Sequence, residues 1–463
     1  MPPQEEQYRK RCYRIALNYF NKKPDRGLCL LIRFGFVQHD PHAVAEFFLV
    51  RRGLSRLMIG EFLGTLRSPF HASVLDAYLE GISMFNMEID VALRHMLTYF
   101  RFPGEAQKVD HIIQAFARRY LECNPDRNIE FDTIYVVAFA IIMLNTDLHT
   151  PSLKDSKRMK LEDFIINLRR VEGTEVFTDK MLTSIYERVK QREFKSNLDH
   201  VSQVMKVDEG LIGKGKPHLA EPHRRLICYC RLNQVLDLNR KQTPTDHNRE
   251  LFLFNDLLII AKTMKKKVAQ YSLRYWTPLL GLKISTFQTQ FFRYGLHLNC
   301  PDGAEFIFNA KNDDDRARFF NDVKETVCEA TEMESLRIEL ELDKQSNSLQ
   351  RELIGSRLAH NHSGPVKVWN STKKFEDFLD NEVDNNSTNI GGQIFPPDSV
   401  TPTPSVSVGK LSHNGVSTSS GCSASNASTA SASSNSTPAP PNRRLSFNSL
   451  DSGMVEEAAD LPV

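Results

Sequence analysis

Residues 99–151, YFRFPGEAQKVDHIIQAFARRYLECNPDRNIEFDTIYVVAFAIIMLNTDLHTP, constrain the fold of this chain more than any other stretch. Phe102-Pro103-Gly104-Glu105 lies near its start. Proline fixes φ and lacks an N–H, so it suits a turn or a helix start, and the glycine beside it permits a sharp bend. Glu105 therefore stands where a turn enters a helix, and Ile112, Ile113, Phe116 and Tyr120 follow at helical spacing. A second helix is predicted from about Thr133 to Leu148. Tyr135, Phe139, Ile142, Met143 and Asp147 recur on it at three and four, sharing one broad face. By residue type alone these features are ordinary. A carboxylate in a first helical turn complements the helix dipole. The apolar run 135–144 reads as a buried core helix, shorter than the ~20 residues of a membrane span.

The same helical pattern extends over residues 8–195, interrupted at Arg26-Gly27, Gly53, Ser68-Pro69, Cys123-Asn124-Pro125 and Gly173. Helices joined by short loops predict an all-α domain over residues 1–200. After Met205 the pattern changes to strand-like runs at 225–231, 250–262, 269–273, 291–299 and 305–309, with turn residues such as Asn255-Asp256 and Pro301-Asp302-Gly303. Asn312-Asp313-Asp314-Asp315 suits the start of a helix whose apolar face includes Phe319, Phe320 and Val323. Residues 206–332 thus form a second domain of strands closed by a helix. Residues 333–354, rich in Glu, Leu and Lys, extend that helix and have the look of a short coiled coil. From 355 to 463 Ser, Asn, Thr, Pro and Gly dominate, the composition of a disordered tail.

A net charge of +2 over 463 residues sets up no global field favouring nucleic acid, so basic residues matter only where they cluster. The eight cysteines are scattered. Cys228 and Cys230, the nearest pair, give neither a disulfide frame nor metal-ligand spacing, so no metal and no cofactor is expected and a reducing compartment fits. Met1 precedes a charged, polar segment rather than a signal peptide, and a cytoplasmic protein is the expectation.

Two segments carry a family resemblance. Phe100-Arg101-Phe102-Pro103-Gly104-Glu105-Ala106-Gln107-Lys108-Val109-Asp110 resembles the first signature of the Sec-seven domain, the catalytic unit of Arf guanine-nucleotide exchange factors. Ile142-Met143-Leu144-Asn145-Thr146-Asp147-Leu148-His149 resembles the second. The resemblance covers residues 8–195 and implies an all-α superhelix with a groove near both signatures. It assigns Asn18-Tyr19-Phe20-Asn21, Pro24 and Gly27 a structural role. It makes Glu105 a glutamic finger and Tyr135, Phe139, Ile142, Met143, Asn145, Asp147 and Thr150 the contacts to an Arf-family small GTPase. Many relatives carry Asn where Thr150 stands. Members trapped by brefeldin carry Tyr-Ser in place of Phe139-Ala140, and the wording of both signatures is nearest the IQ-motif-containing, brefeldin-resistant group.

Residues 206–332 resemble a pleckstrin-homology β-barrel with its C-terminal helix, most clearly in Arg249-Glu250-Leu251-Phe252-Leu253-Phe254-Asn255-Asp256-Leu257-Leu258. Its expected lipid-binding residues are Lys214, Lys216, Arg224 and Arg225 in one group and Lys262, Lys265, Lys266 and Lys267 in another. Each basic residue near an anionic leaflet adds about 1 kcal/mol. The chain is thus expected to release GDP from Arf proteins without covalent chemistry, recruited from the cytoplasm to anionic phosphoinositide membranes, plasma or endosomal. Two weaker motifs lie in the tail: Arg443-Arg444-Leu445-Ser446, of a kind read by basophilic kinases, and the apolar end at Val463, of a kind captured by PDZ domains. The rival readings are a membrane-docked helical adaptor that binds Arf without exchange, and a Rho-type exchange factor. The acid at position 105 argues against the first, and the two signatures argue against the second.

Overall fold

The computed structural model describes residues 3–243, 247–264 and 270–358. Helices α1 (Pro3–Phe20), α2 (Pro24–Arg33), α3 (Pro41–Val50), α4 (Arg56–Leu63), α5 (Pro69–Glu80) and α6 (Ile89–Met96) precede α7 (Ala106–Cys123) and α8 (Phe131–His149). Then come α9 (Leu161–Arg169), α10 (Asp179–Gln191) and α11 (Val201–Gly210). Proline opens α2, α3 and α5, where its missing N–H costs nothing, and Asp40 caps α3 through Ala43 N–H at 2.9 Å.

The opening segment ties helices together as expected. Asn21 accepts from Ser55 N–H at 2.7 Å and donates to Gly53 O at 2.8 Å. A Cβ on Gly27 would fall 2.0 Å from Phe20 N, so only glycine lets α2 approach α1 this closely. By length and composition α8, at 19 residues, is apolar enough to cross a bilayer. Its Ile134, Val137, Ala138, Ile141 and Leu144 are instead buried in the helical core with Ile112, Ile113 and Phe116 of α7.

The second half is strand-rich, with β1 (Leu211–Ile212), β2 (Leu226–Gln234), β3 (Asn248–Phe254), β4 (Leu257–Thr263), β5 (Tyr271–Pro278), β6 (Lys283–Phe287), β7 (Gly295–Asn299) and β8 (Glu305–Asn309). Their order in the sheet is β1-β5-β4-β3-β2-β8-β7-β6. Two antiparallel meanders, β2 to β5 and β6 to β8, meet where Asn233 and Gln234 face Asn309 and Phe308 and Val235 N–H donates to Ile307 O at 2.8 Å. The helix α12 (Asp313–Leu358) closes the interior with Phe319 and Val323. This is the pleckstrin-homology arrangement of strands and closing helix.

Two features differ from the sequence expectation. The run 250–262 is a hairpin, β3 and β4, turning at Asn255-Asp256. It shows no alternation because both its faces are buried. Leu251, Leu253, Leu258 and Ile260 face the barrel interior, while Phe252, Phe254, Leu257 and Ile259 lie with Val204 and Val207 of α11. β6 follows a polar stretch, and its KISTF carries no apolar run to reveal it. The helical extension at 333–354 continues the closing helix, α12 running unbroken through residue 332. Cys228 and Cys230 share the interior face of β2.

Candidate functional site

The loop leading to Glu105 is seated by its neighbours. Phe100 is fully buried and meets Tyr78 edge-on at 6.0 Å. Arg101 N–H donates to Arg56 O at 3.0 Å, which fixes the chain to the start of α4. Pro103 is buried, whereas Gly104 and Glu105 are exposed. Gly104 has no positive φ and open space where a Cβ would stand, so the bend comes from the seated loop and not from this glycine.

Glu105 occupies the N-cap of α7 with extended φ/ψ, and its carboxylate makes no cap hydrogen bond. Sixty-eight percent of the side chain is exposed, and it forms an ion pair with Lys108 Nζ at 3.1 Å. A capping Ser or Asp would turn inward; the longer glutamate projects instead.

The face of α8 beside it is less uniform than its spacing suggests. Tyr135 and Phe139 are half-buried, their rings 6.3 Å apart, and Met143 is 41% exposed. These three, one turn apart in succession, form an apolar stripe. The Tyr135 hydroxyl donates to Asp110 on α7, which ties the stripe to the helix that Glu105 opens. That bond, aided by burial, pushes the Tyr135 pKa up to about 12.

The remaining residues of the second signature face other ways. Ile142 is 5% exposed and belongs to the core. Asn145 accepts from Phe194 N–H at 2.9 Å, bracing the chain beyond α10. Asp147 accepts from Met159 N–H at 2.6 Å, and the Thr150 hydroxyl donates back to Thr146 O. All three hold the loops around the end of α8. Only Tyr135, Phe139 and Met143 form the stripe; the polar residues frame it.

The basic residues of the barrel divide likewise. Arg224 and Arg225, expected at a lipid face, are buried. Arg224 forks onto Asp256, its Nη2 2.7 Å from Oδ2, and Arg225 Nη2 donates to Glu329 at 2.8 Å. Burial and pairing give these two guanidiniums a structural task. Lys216 pairs with Asp208 at 2.9 Å. Lys214 and Lys262 are exposed. Lys265, Lys266 and Lys267 lie outside the described residues, as do Arg443-Arg444-Leu445-Ser446 and the terminal Val463.

Lys214 and Lys216 lie before the first long strand, so the loop that begins the barrel's meander is that between β2 and β3. Its Arg240 and Lys241 are exposed beside Leu236, 63% exposed, and Leu238, 36% exposed. Sequence reading passed over this pair because it stands in a polar, proline-containing loop rather than in a lysine run. No group of His, Cys, Asp or Glu among the described residues has the arrangement of a metal site.

An all-helical domain presenting an acidic turn beside an apolar stripe, joined to a barrel closed by a long helix, defines a two-domain class. Residues 9–194 match the Sec7 domain and residues 215–345 match a PH domain. The chain is accordingly a Sec7-domain protein with a PH domain behind it.

Among its relatives is Brefeldin A-inhibited guanine nucleotide-exchange protein 2 of Arabidopsis thaliana, 38% identical over 194 residues, 41% of this chain and 11% of that protein. Another is ADP-ribosylation factor guanine nucleotide-exchange factor sec72 of Schizosaccharomyces pombe, 38% identical over 186 residues, 40% of this chain and 10% of that one. The chain thus spans about a tenth of the length of these relatives. Similar solved structures include the Sec7p catalytic domain, 30% identical, covering 38% of this chain and 96% of that one at a TM-score of 0.35. ARF1-GDP bound to a Sec7 domain with Brefeldin A is 31% identical, covering 41% and 94% at 0.37.

Proposed function

We propose that this chain is a guanine-nucleotide exchange factor for an Arf-family small GTPase, with Glu105 as the group that displaces the nucleotide. The projecting, uncapped carboxylate of Glu105 carries the reading. A GTPase holds GDP through its phosphates, a magnesium ion and a lysine. An exchange factor makes a complex in which those contacts are weakened, and breaks no covalent bond. At an effective dielectric near 20, two unit charges about 4 Å apart repel by about 4 kcal/mol, and a diphosphate carries more than one charge. A glutamate inserted there repels the phosphates, competes for the lysine and disfavours the magnesium ion.

Tyr135, Phe139 and Met143 give the GTPase an apolar surface to seat on, in keeping with the apolar character of recognition sites. Ile142 supports that stripe from beneath, and Asn145, Asp147 and Thr150 shape its border. Membrane recruitment through the PH domain completes the reading. Lys214 before β2, Arg240 and Lys241 in the loop after β2 and Lys262 near the end of β4 supply positive charge, and Leu236 and Leu238 in the loop after β2 and Met264 just after β4 are exposed apolar residues. Recruitment is peripheral, to anionic phosphoinositide membranes of the plasma-membrane or endosomal kind.

The test is release of fluorescent GDP from purified Arf proteins by the full chain and by Glu105→Lys. Lysine attracts the phosphates that glutamate repels, so exchange falls to near background, and the stalled complex retains GDP. Wild-type exchange by Glu105→Lys returns Glu105 to the role of a helix-end acid. Binding of Arf without exchange by the unaltered chain supports the adaptor reading instead.

A further inference from the structure

Lys108 sits one turn after Glu105 on α7, and its ammonium is shared between two carboxylates. Nζ lies 3.1 Å from Glu105 Oε1 and 2.9 Å from Glu61 Oε2 on α4. The lysine side chain is 20% exposed, Glu61 28% and Glu105 68%. Only the last is therefore free to leave.

The lysine stem has a fitted seat. A Cβ on Gly64, which ends α4, would come within 2.8 Å of Lys108 Cβ and 3.2 Å of Pro103 Cγ. One turn earlier, a Cβ on Gly60 would fall 1.8 Å from Arg101 O. The end of α4 thus receives both the loop before Glu105 and the lysine after it. Burial works against the charge of Lys108, but hydrogen bonds to Glu61 and Glu105 outweigh it and hold its pKa above the ordinary value.

We propose that Lys108 is a positioning residue for Glu105, and that Glu61 is the counter-carboxylate that lets Glu105 depart. The proposal rests on the reading of Glu105 as the nucleotide-displacing group. An exposed glutamate has several rotatable bonds, and a nearby ammonium narrows the directions its carboxylate takes before the GTPase arrives. A lysine paired with Glu105 alone would be left half-buried and unpaired when that carboxylate moved into a phosphate site. With Glu61 at 2.9 Å it keeps a partner. The arrangement orients the acid without trapping it.

Exchange kinetics of the full chain on Arf loaded with fluorescent GDP test this. Lys108→Met lowers kcat by about three- to fivefold, the scale of an exposed ion pair, with KM within twofold. Lys108→Arg restores most of the rate. Glu61→Gln leaves Glu105 as the lysine's one carboxylate and slows kcat as well, more at low salt than at high.

The deciding measurement is the double variant. Once Glu105→Gln has removed the charged acid, adding Lys108→Met changes exchange no further. Additive losses, or a Lys108→Met loss that falls on KM, place the lysine in partner binding and overturn the proposal. Wild-type exchange by Glu105→Gln is a separate result that removes the underlying reading. Thermal unfolding accompanies each variant. If Lys108→Met does not fold, Lys108→Gln and Glu61→Gln carry the same cycle, and wild-type kcat in both overturns the proposal.

Discussion

The Glu329 carboxylate on α12 accepts a hydrogen bond from Arg14 Nε on α1 at 2.8 Å, across 315 residues of sequence. Glu329 has no exposed surface and Arg14 has 2%. The other Glu329 oxygen accepts from Arg225 at 2.8 Å and from Asn18 at 2.9 Å. One turn earlier, Glu325 accepts from Arg11 and Arg14. Met333, Leu336 and Leu340 of α12 then pack on the helical core. The helix that closes the barrel therefore also clamps the Sec7 domain.

Removing one partner of such a network leaves buried charge uncompensated, at a cost of about 3–5 kcal/mol. Glu329→Ala is expected to raise hydrogen exchange along α1 and α12 and to lower the unfolding midpoint of the full chain. The combined change Arg14→Met, Arg225→Met and Glu329→Leu recovers most of the loss, because no charge is then stranded. A Glu329→Ala protein as protected as wild type would show that water reaches the cluster.

Acid weakens the same region in two stages. Burial, reinforced by Lys22, pushes His223 from 6.5 down to about 4, although Asp256 lies 3.9 Å away. Burial lowers His200 too, whose ring Nε2 donates to Pro222 O at 2.8 Å. A histidine depressed in the folded state contributes stability that is complete above pH 6.5 and lost as pH falls toward the folded value. Unfolding free energy is thus expected to be level above pH 6.5 and to drop between 6.5 and about 4, on the order of 1–3 kcal/mol. His223→Gln flattens this slope in denaturant titrations across pH. Burial acts against ionisation of Glu325, but Arg11 and Arg14 outweigh it and hold its pKa below 4.5, so its contribution disappears only in stronger acid.

Liposome binding distinguishes the exposed basic residues from the buried ones. Glutamate at Lys214, Arg240, Lys241 and Lys262 reverses the local field and is expected to abolish stimulation of exchange by anionic vesicles, with activity on a soluble, truncated Arf retained. Arg224→Glu and Arg225→Glu behave differently, lowering stability before they affect lipid, since each leaves an acid facing Asp256 or Glu329. Vesicle binding that survives the fourfold change moves the site to Lys265, Lys266 and Lys267.

Brefeldin sensitivity follows from two adjacent positions. Phe139-Ala140, half-buried on α8, offers no hydroxyl where the family resemblance implies Tyr-Ser in members trapped by the drug. The Asp147 carboxylate, which resembles the sensitive type, is held by Met159 N–H at 2.6 Å. Purified protein is expected to exchange nucleotide at an unchanged rate with the drug present, and Phe139→Tyr with Ala140→Ser to acquire inhibition. Strong inhibition of the unaltered chain counts against this.

Local chemistry made much of this molecule readable. The helical periods of α7 and α8, the acidic start of α12 and the turn at Asn255-Asp256 all follow from neighbours within a few residues. What sequence did not reveal depends on distant partners. Glu325 and Glu329 look like a solvated helix face until Arg11, Arg14 and Arg225 are placed against them. Arg224 and Arg225 look like a basic patch for the same reason. Ile142 and Asp147 share spacing with the stripe, yet each is claimed by a different neighbour, the core and Met159, while Asn145 on another face is held by Phe194.

The two glycines nearest the Glu105 loop are expected to respond oppositely to alanine. Gly104 is exposed, without positive φ, and an added Cβ meets nothing within 4 Å. Gly104→Ala therefore leaves stability within about 0.5 kcal/mol of wild type and exchange nearly unchanged. Gly60 lies inside α4, where alanine would ordinarily favour the helix by about 1 kcal/mol. There, however, the new methyl would fall 1.8 Å from Arg101 O and 3.3 Å from the Phe100 ring. Backbone cannot yield as a flexible side-chain tip does, so the loop lifts from α4, breaking the Arg101–Arg56 bond and unseating Pro103. Overpacking of this kind costs about 1–3 kcal/mol, and exchange falls further than stability because Glu105 is displaced with the loop. Thermal unfolding and exchange rates of the two variants decide the matter. Equal activity in both would mean that the seat on α4 does not position Glu105.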